Sequence, residues 1–280
     1  GDFSGLTRSG ALKVIKDPLT GLPFPGNVIP ADRLNPVGLA LAKAFPTANT
    51  QVDNGSVNFN FTDLLPSKAN QVSGKLNHNF SNSVSLSVFG LQQITHEADA
   101  NYNPVNRYVG GSYQLDRTIR TLVLNNTYIL SPSTVLTVRG GYNKFDDNYV
   151  LPYDYDAKAL FNNAALTSQF SDTNRFPTLS ITDYKGAGWT NRQNNGYYQY
   201  GGNAALTRLA GTHSVKVGGD YRRIGATSLN YGASTGTYSF TGTYSGNALA
   251  DLLLGYPASG SVPLNTEVDG YADYFAGFAQ

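Results

Sequence analysis

Residues 196–227 read GYYQYGGNAALTRLAGTHSVKVGGDYRRIGAT. Taken in steps of two, Tyr198, Tyr200, Gly202, Ala204 and Leu206 fall on one side of an extended chain, and Gln199, Gly201, Asn203 and Thr207 fall on the other. After Ala210-Gly211-Thr212 the pattern resumes, with Val215, Val217, Gly219 and Tyr221 opposite Lys216, Asp220 and Arg222. A period of two is that of a strand. Each run is about 13 residues, longer than the usual 5–6 of a globular strand and close to what a tilted membrane-crossing strand needs. The stretch predicts one hairpin of a membrane barrel.

The same pattern recurs outward from it. Val72, Gly74, Leu76, His78 and Phe80 alternate with Ser73, Lys75, Asn77 and Asn79, and a second run follows from Val84 to Gly90 after Ser81-Asn82-Ser83. Thr118 to Leu130 and Thr134 to Tyr149 form another pair around Ser131-Pro132-Ser133, where proline stops the ladder. A last run begins at Gly270. The reading is all-β, with residues 69–280 supplying about seven strands of a large antiparallel transmembrane barrel and residues 1–68 an outer loop region. That region is punctuated by prolines and holds one short helix, opened by Asn35-Pro36 and ended before Pro46. Six full strands and part of a seventh do not close a barrel, which takes an even number from eight upward, so the chain reads as a fragment.

Connections are unequal. Turns of about three residues alternate with loops of about 20–45, and compact soluble domains rarely carry repeated loops beyond about 15. Short turns on one side and long loops on the other are the build of outer-membrane barrels. Composition agrees: 14% of residues are charged, 12% are aromatic, and there are 19 Tyr and 30 Gly. Soluble domains carry nearer 25% charge. With a net charge of +1 and no basic stripe, nucleic acid is not an expected partner. The absence of cysteine excludes disulfides, thiolate metal sites and cysteine nucleophiles.

Depth supplies an independent check, because a charge on the lipid-facing row costs about 2–4 kcal/mol at mid-membrane and little at the interfaces. Lys75, Arg139, Lys216, Asp220 and Arg222 all fall on the lumen parity. Arg208 shares the apolar parity close to its turn, and Arg120, Lys144 and Arg223 share it about 11 residues from theirs, at the opposite rim. His78 and Asn126 sit on the apolar parity at lower depth without an evident partner.

Several stretches resemble the Oar-like branch of the TonB-dependent outer-membrane receptors. They are Gly1-Asp2-Phe3-Ser4, Asp17-Pro18-Leu19-Thr20-Gly21-Leu22-Pro23-Phe24-Pro25-Gly26-Asn27-Val28-Ile29-Pro30 with Arg33-Leu34-Asn35-Pro36, Asn125 to Pro132, His213 to Arg223, and Gly246-Asn247-Ala248-Leu249-Ala250-Asp251-Leu252-Leu253-Leu254-Gly255. The resemblance implies a barrel of about 22 strands in the outer membrane of a Gram-negative bacterium. It also implies a plug and a TonB-contacting segment in parts of the protein outside this sequence.

No catalytic constellation stands out. His78, His96 and His213 lack metal-site spacing, there is neither a nucleophile elbow nor a P-loop, and Asp146-Asp147 and Asp154-Tyr155-Asp156 lack the spacing of a calcium loop. The expectation is a non-enzymatic protein without cofactor. The aromatic loop between Tyr149 and Tyr197 offers Tyr153, Tyr155 and Trp189 as ligand-stacking candidates. The bland alternative for them is a loop mini-core. For the lumen-parity charges it is a salt-bridged wall, or contact with a plug. The expected function is uptake of an oligosaccharide or peptide by binding at outer loops followed by TonB-driven plug movement, with outer-membrane lipid as the surrounding partner. An adhesive or structural outer-membrane protein is the alternative, and a soluble all-β carbohydrate-binding protein the more distant one.

Overall fold

A computed structural model describes residues 1–5, 11–49, 59–62, 64, 66–97, 114–150, 154–188, 193–230, 232–264 and 266–280. Its main body is one antiparallel sheet. Strands β1 (Ser67–Ser81), β2 (Val84–Glu97), β3 (Gln114–Ser131) and β4 (Thr134–Val150) pair in chain order. After β5 (Thr178–Ile181), which lies elsewhere, come β6 (Gln193–Ala210) and β7 (His213–Asn230). Then, past β8 (Thr237–Phe240) and β9 (Ser259–Ser261), β10 (Thr266–Ala279) pairs with β7. The sheet is open, with β1 and β10 as its edges.

Hairpins β1–β2, β3–β4 and β6–β7 close through two-residue turns, Asn82-Ser83, Pro132-Ser133 and Gly211-Thr212. These are one residue tighter than expected, and in the last the first position is a glycine at φ 62°, a conformation side chains resist. The turns are staggered. The pairing line through Val84 runs to Tyr128 and Leu136, two to three residues short of the next turn, and the line through Thr134 reaches Arg208, two residues short of the third. With a rise of about 3.3 Å per residue and about 4.8 Å between strands, turns lying at one level require a strand tilt of about 35–45°. That is the tilt of a barrel wall.

Register carries the alternation across the whole sheet. One transverse row reads Leu76, Val88, Leu124, Gly140, Gly202, Tyr221, Phe275, and the adjacent row on the other face reads Lys75, Phe89, Val123, Gly141, Gly201, Arg222, Tyr274. The two residues that lacked an explanation on the apolar face have partners: Asn126 Nδ2 donates to the Tyr128 hydroxyl at 2.8 Å, and the His78 ring meets Phe80 edge-on at 4.5 Å.

The hydrophobic core lies outside this sheet. Nearly every buried apolar side chain belongs to the N-terminal segment or to the β4–β6 and β7–β10 connections. Those stretches were expected to be loops without regular structure, apart from one helix, and here the expectation is corrected. They fold into a cap from helices α1 (Pro36–Ala42), α2 (Ala157–Phe161), α3 (Ala164–Thr167) and α4 (Ala248–Leu254), with a three-stranded sheet in the order β5-β8-β9. Asn35 caps α1 by accepting from the Val37 and Gly38 amides, and Asn247 caps α4 by accepting from those of Leu249 and Ala250. Gly255 ends α4 at φ 79°.

Segments far apart in sequence interlock here. Ile15, Phe24 and Ile29 pack with Ala250, Leu253 and Leu254, while Lys16 N–H donates to Ser245 O and Asn35 N–H to Leu253 O. Asn27 bridges the N-terminal segment, its Oδ1 accepting from Ile15 N–H and its Nδ2 donating to Phe3 O and Lys13 O. Asp251 is wholly buried and accepts from Ser245 N–H at 2.7 Å, Ser245 Oγ at 2.6 Å and Tyr244 N–H at 3.3 Å.

Arg33 donates to both oxygens of Asp17 at 2.7 and 2.8 Å, and this pair holds the Asp17 carboxyl below the usual carboxylate range. A depressed folded value contributes stability above the unfolded value and loses it as pH falls through the folded one. The thermal stability of the cap should therefore fall progressively below about pH 4. Asp17→Asn should be less stable at neutral pH and flatter across that acid interval.

Candidate functional site

Strand alternation positions the polar side chains with chemical potential on one face of the sheet. Lys75, Arg139, Lys216, Asp220 and Arg222 share this face, since the row through Lys75 runs to Arg222 and the row through Arg139 runs through Asn203 to Asp220. The register brings Arg139, Asp220 and Arg222 into one neighbourhood and leaves Lys75 on the far edge strand and Lys216 nearer the turn. Arg222 Nε lies 2.7 Å from Asp220, and its guanidinium stands over the Tyr274 ring at 5.7 Å. Lys216 Nζ stands over Phe278, also at 5.7 Å.

Between these groups lies an open groove of about 450 Å³. Gly141 and Gly201 face each other across β4 and β6 and leave its floor without side chains. Asn125, Arg139, Asn143, Gln199, Asn203, Asp220 and Arg222 line it. Amides, guanidinium groups and one carboxylate can donate to and accept from a polar ligand. Among the described residues no three His, Asp or Glu side chains cluster as metal ligands. The asparagines and Gln199 of the groove were not singled out from sequence, although their parity was the available signal.

The loop aromatics are distributed differently. Tyr153 and Trp189 lie outside the described residues. The Tyr155 ring packs edge-on against Phe176 at 4.9 Å, within the cap's own core. Around it the acidic loop residues have structural work: Asp156 caps α2 by accepting from Ala159 N–H, and Arg175 bridges Asp154 at 3.1 Å and Asp172 at 3.2 Å. Burial pushes the nearby Tyr238 hydroxyl up to about 12, so it stays neutral and donates to Thr235 O.

The opposite face is apolar from Leu76 to Phe275, and among the described residues its ion pairs lie toward the cap end, as Arg120 and Lys144 about Asp146, Arg223 with Asp273, and His96 with Asp116. Over its full length, residues 1–280, the chain matches the family described as outer membrane beta barrel domain. It belongs to that family. No curated protein and no solved structure matches the chain. As an outer membrane barrel domain it resides in the bacterial outer membrane, and its apolar face is the one suited to lipid. Tyr198, Tyr200 and Tyr271 on that face stand where an aromatic girdle meets the headgroups, with the Tyr198 and Tyr200 rings stacked at 6.3 Å. In such barrels tight turns are periplasmic and long connections extracellular, and the cap is built from the long connections.

Proposed function

We propose that this barrel domain is part of a TonB-dependent outer-membrane transporter of the Oar-like branch, taking up an oligosaccharide or peptide without covalent chemistry. The observation that carries the reading is the cap. Two of the stretches that carry the resemblance, Asp17 to Pro36 and Gly246 to Gly255, are each other's packing partners, joined by Asn35 N–H to Leu253 O and by a shared core. Two blocks of one receptor type that fold as one unit make the likeness a property of a structure rather than of separate short motifs.

In this reading residues 1–68 form an outer segment and residues 69–280 the wall. Lys75, Arg139, Lys216, Asp220 and Arg222 line the lumen, and Tyr153 and Trp189 remain the candidates for stacking on the ligand. Lumenal donors and acceptors over a glycine floor suit a passing polyhydroxylated or peptide ligand. Transport further requires a plug and a TonB-contacting segment elsewhere in the protein.

The test is growth of a strain deleted for the gene on a panel of oligosaccharides and peptides, beside a strain lacking TonB. Loss of growth on the same substrate in both strains is expected. Unchanged growth on every member of the panel, with reduced surface attachment, would favour an adhesive role instead.

A further inference from the structure

The ion pairs at the cap end of the apolar face are not equivalent. Arg120, Lys144 and Arg223 each stand about ten residues along their strands from a tight turn, about 25 Å above it at a tilt of about 40°. All three lie on the lipid-facing rows at one height, that of the outer interface. Arg223 is fully occupied: it makes two bonds of 2.7 Å to Asp273, which also accepts from the Tyr221 hydroxyl, and its guanidinium lies 4.2 Å from the Tyr271 ring centre.

Arg120 and Lys144 differ. They are direct register partners, so their side chains rise side by side, and they share one carboxylate, Asp146, at 3.9 Å from Arg120 and 3.1 Å from Lys144. The Arg120 contact is beyond hydrogen-bond reach, and its side chain is 51% exposed. Two cations against one anion leave a net positive charge, and among the described residues Arg120 makes no closer ion pair than this one. Tyr198 is the next residue along the same row and lies beside Lys144.

We propose that Arg120 and Lys144 hold a phosphate of an outer-leaflet lipid headgroup. The planar fork of arginine matches two phosphate oxygens and lysine adds a point charge beside it. At this height on a lipid-facing row the neighbouring anions are those of the membrane surface, which attract basic side chains near it. The inference rests on membership of the outer membrane barrel family and is independent of the transport reading.

The experiment is native mass spectrometry of the full-length protein, folded and extracted in detergent, titrated with phosphorylated lipid A or with its dephosphorylated counterpart. Heat-modifiable migration confirms folding of each variant. The wild-type protein should retain the phosphorylated lipid and bind the dephosphorylated one at least about tenfold more weakly. Arg120→Gln with Lys144→Gln should abolish that preference, and Arg223→Gln should leave it intact. Asp146→Asn, which removes only the competing carboxylate, should tighten binding, a result that a packing role for these residues would not produce. Equal retention by the double variant, equal binding of the dephosphorylated lipid, weaker binding by Asp146→Asn, or displacement of the lipid by millimolar inorganic phosphate would each overturn the assignment.

Discussion

Gly38→Leu is expected to separate α1 from α4 and loosen the cap. A Cβ at Gly38 would stand 1.9 Å from the Leu252 carbonyl oxygen and 3.0 Å from its carbon. Both are backbone atoms inside a capped helix, so no rotamer change relieves the overlap. The helices must move apart, and with them goes the Asn35 N–H to Leu253 O bond and the packing of Leu41 and Ala44 in the core shared with Leu252. A backbone overlap in a packed core costs about 3 kcal/mol or more, a large part of the stability of a unit this size. Limited proteolysis of the protein in outer-membrane vesicles should cut Gly38→Leu within the cap much faster than the wild-type chain. Gly5→Ala, where an added Cβ meets nothing within 4 Å, should behave as wild type.

The second large effect concerns the wall. Leu124 lies on the apolar row with Val88 and Gly140, about seven residues from its turn and hence near the middle of the membrane. Leu124→Arg should destabilise the folded protein in lipid vesicles by about 2–4 kcal/mol, the cost of a cation facing lipid at that depth. The neighbouring Val123 shares the face of Lys75 and Arg222, and Val123→Arg should cost under about 1 kcal/mol. Denaturant titration of refolded protein separates the two. A reversal of their order would mean that the faces are assigned the wrong way round.

The wall was readable because its physics is local. Strand parity depends on the nearest residues, so the side chosen by Lys75, Arg139, Lys216, Asp220 and Arg222 could be taken from sequence and agrees with the register that joins them. Most of the cap was not readable for the opposite reason. Asn35-Pro36 announced α1, but α2, α3 and α4 are four to seven residues long, too short to show a period. Ala250, Leu252, Leu253 and Leu254 are all buried, so α4 has no amphipathic stripe to detect. Its core is assembled from Ile15, Phe24, Phe176, Phe240 and Leu252, whose proximity depends on contacts between distant loops. Tyr155 shows the consequence for the site: the aromatic composition of its loop was visible, but whether a ring packs edge-on against Phe176 or faces a ligand depends on which core encloses it.

A membrane wall requires that one face of this sheet meet lipid and the other meet water. Because the sequence contains no cysteine, single cysteines placed in turn from residue 121 to residue 126 can each carry one spin label in the full-length protein in bilayers. Labels at Leu122, Leu124 and Asn126 should be relaxed by lipid-dissolved oxygen, and those at Thr121, Val123 and Asn125 by a water-soluble nickel chelate. A period-two alternation with that phase is the predicted result. Equal access of the nickel chelate to both sets would contradict a membrane wall.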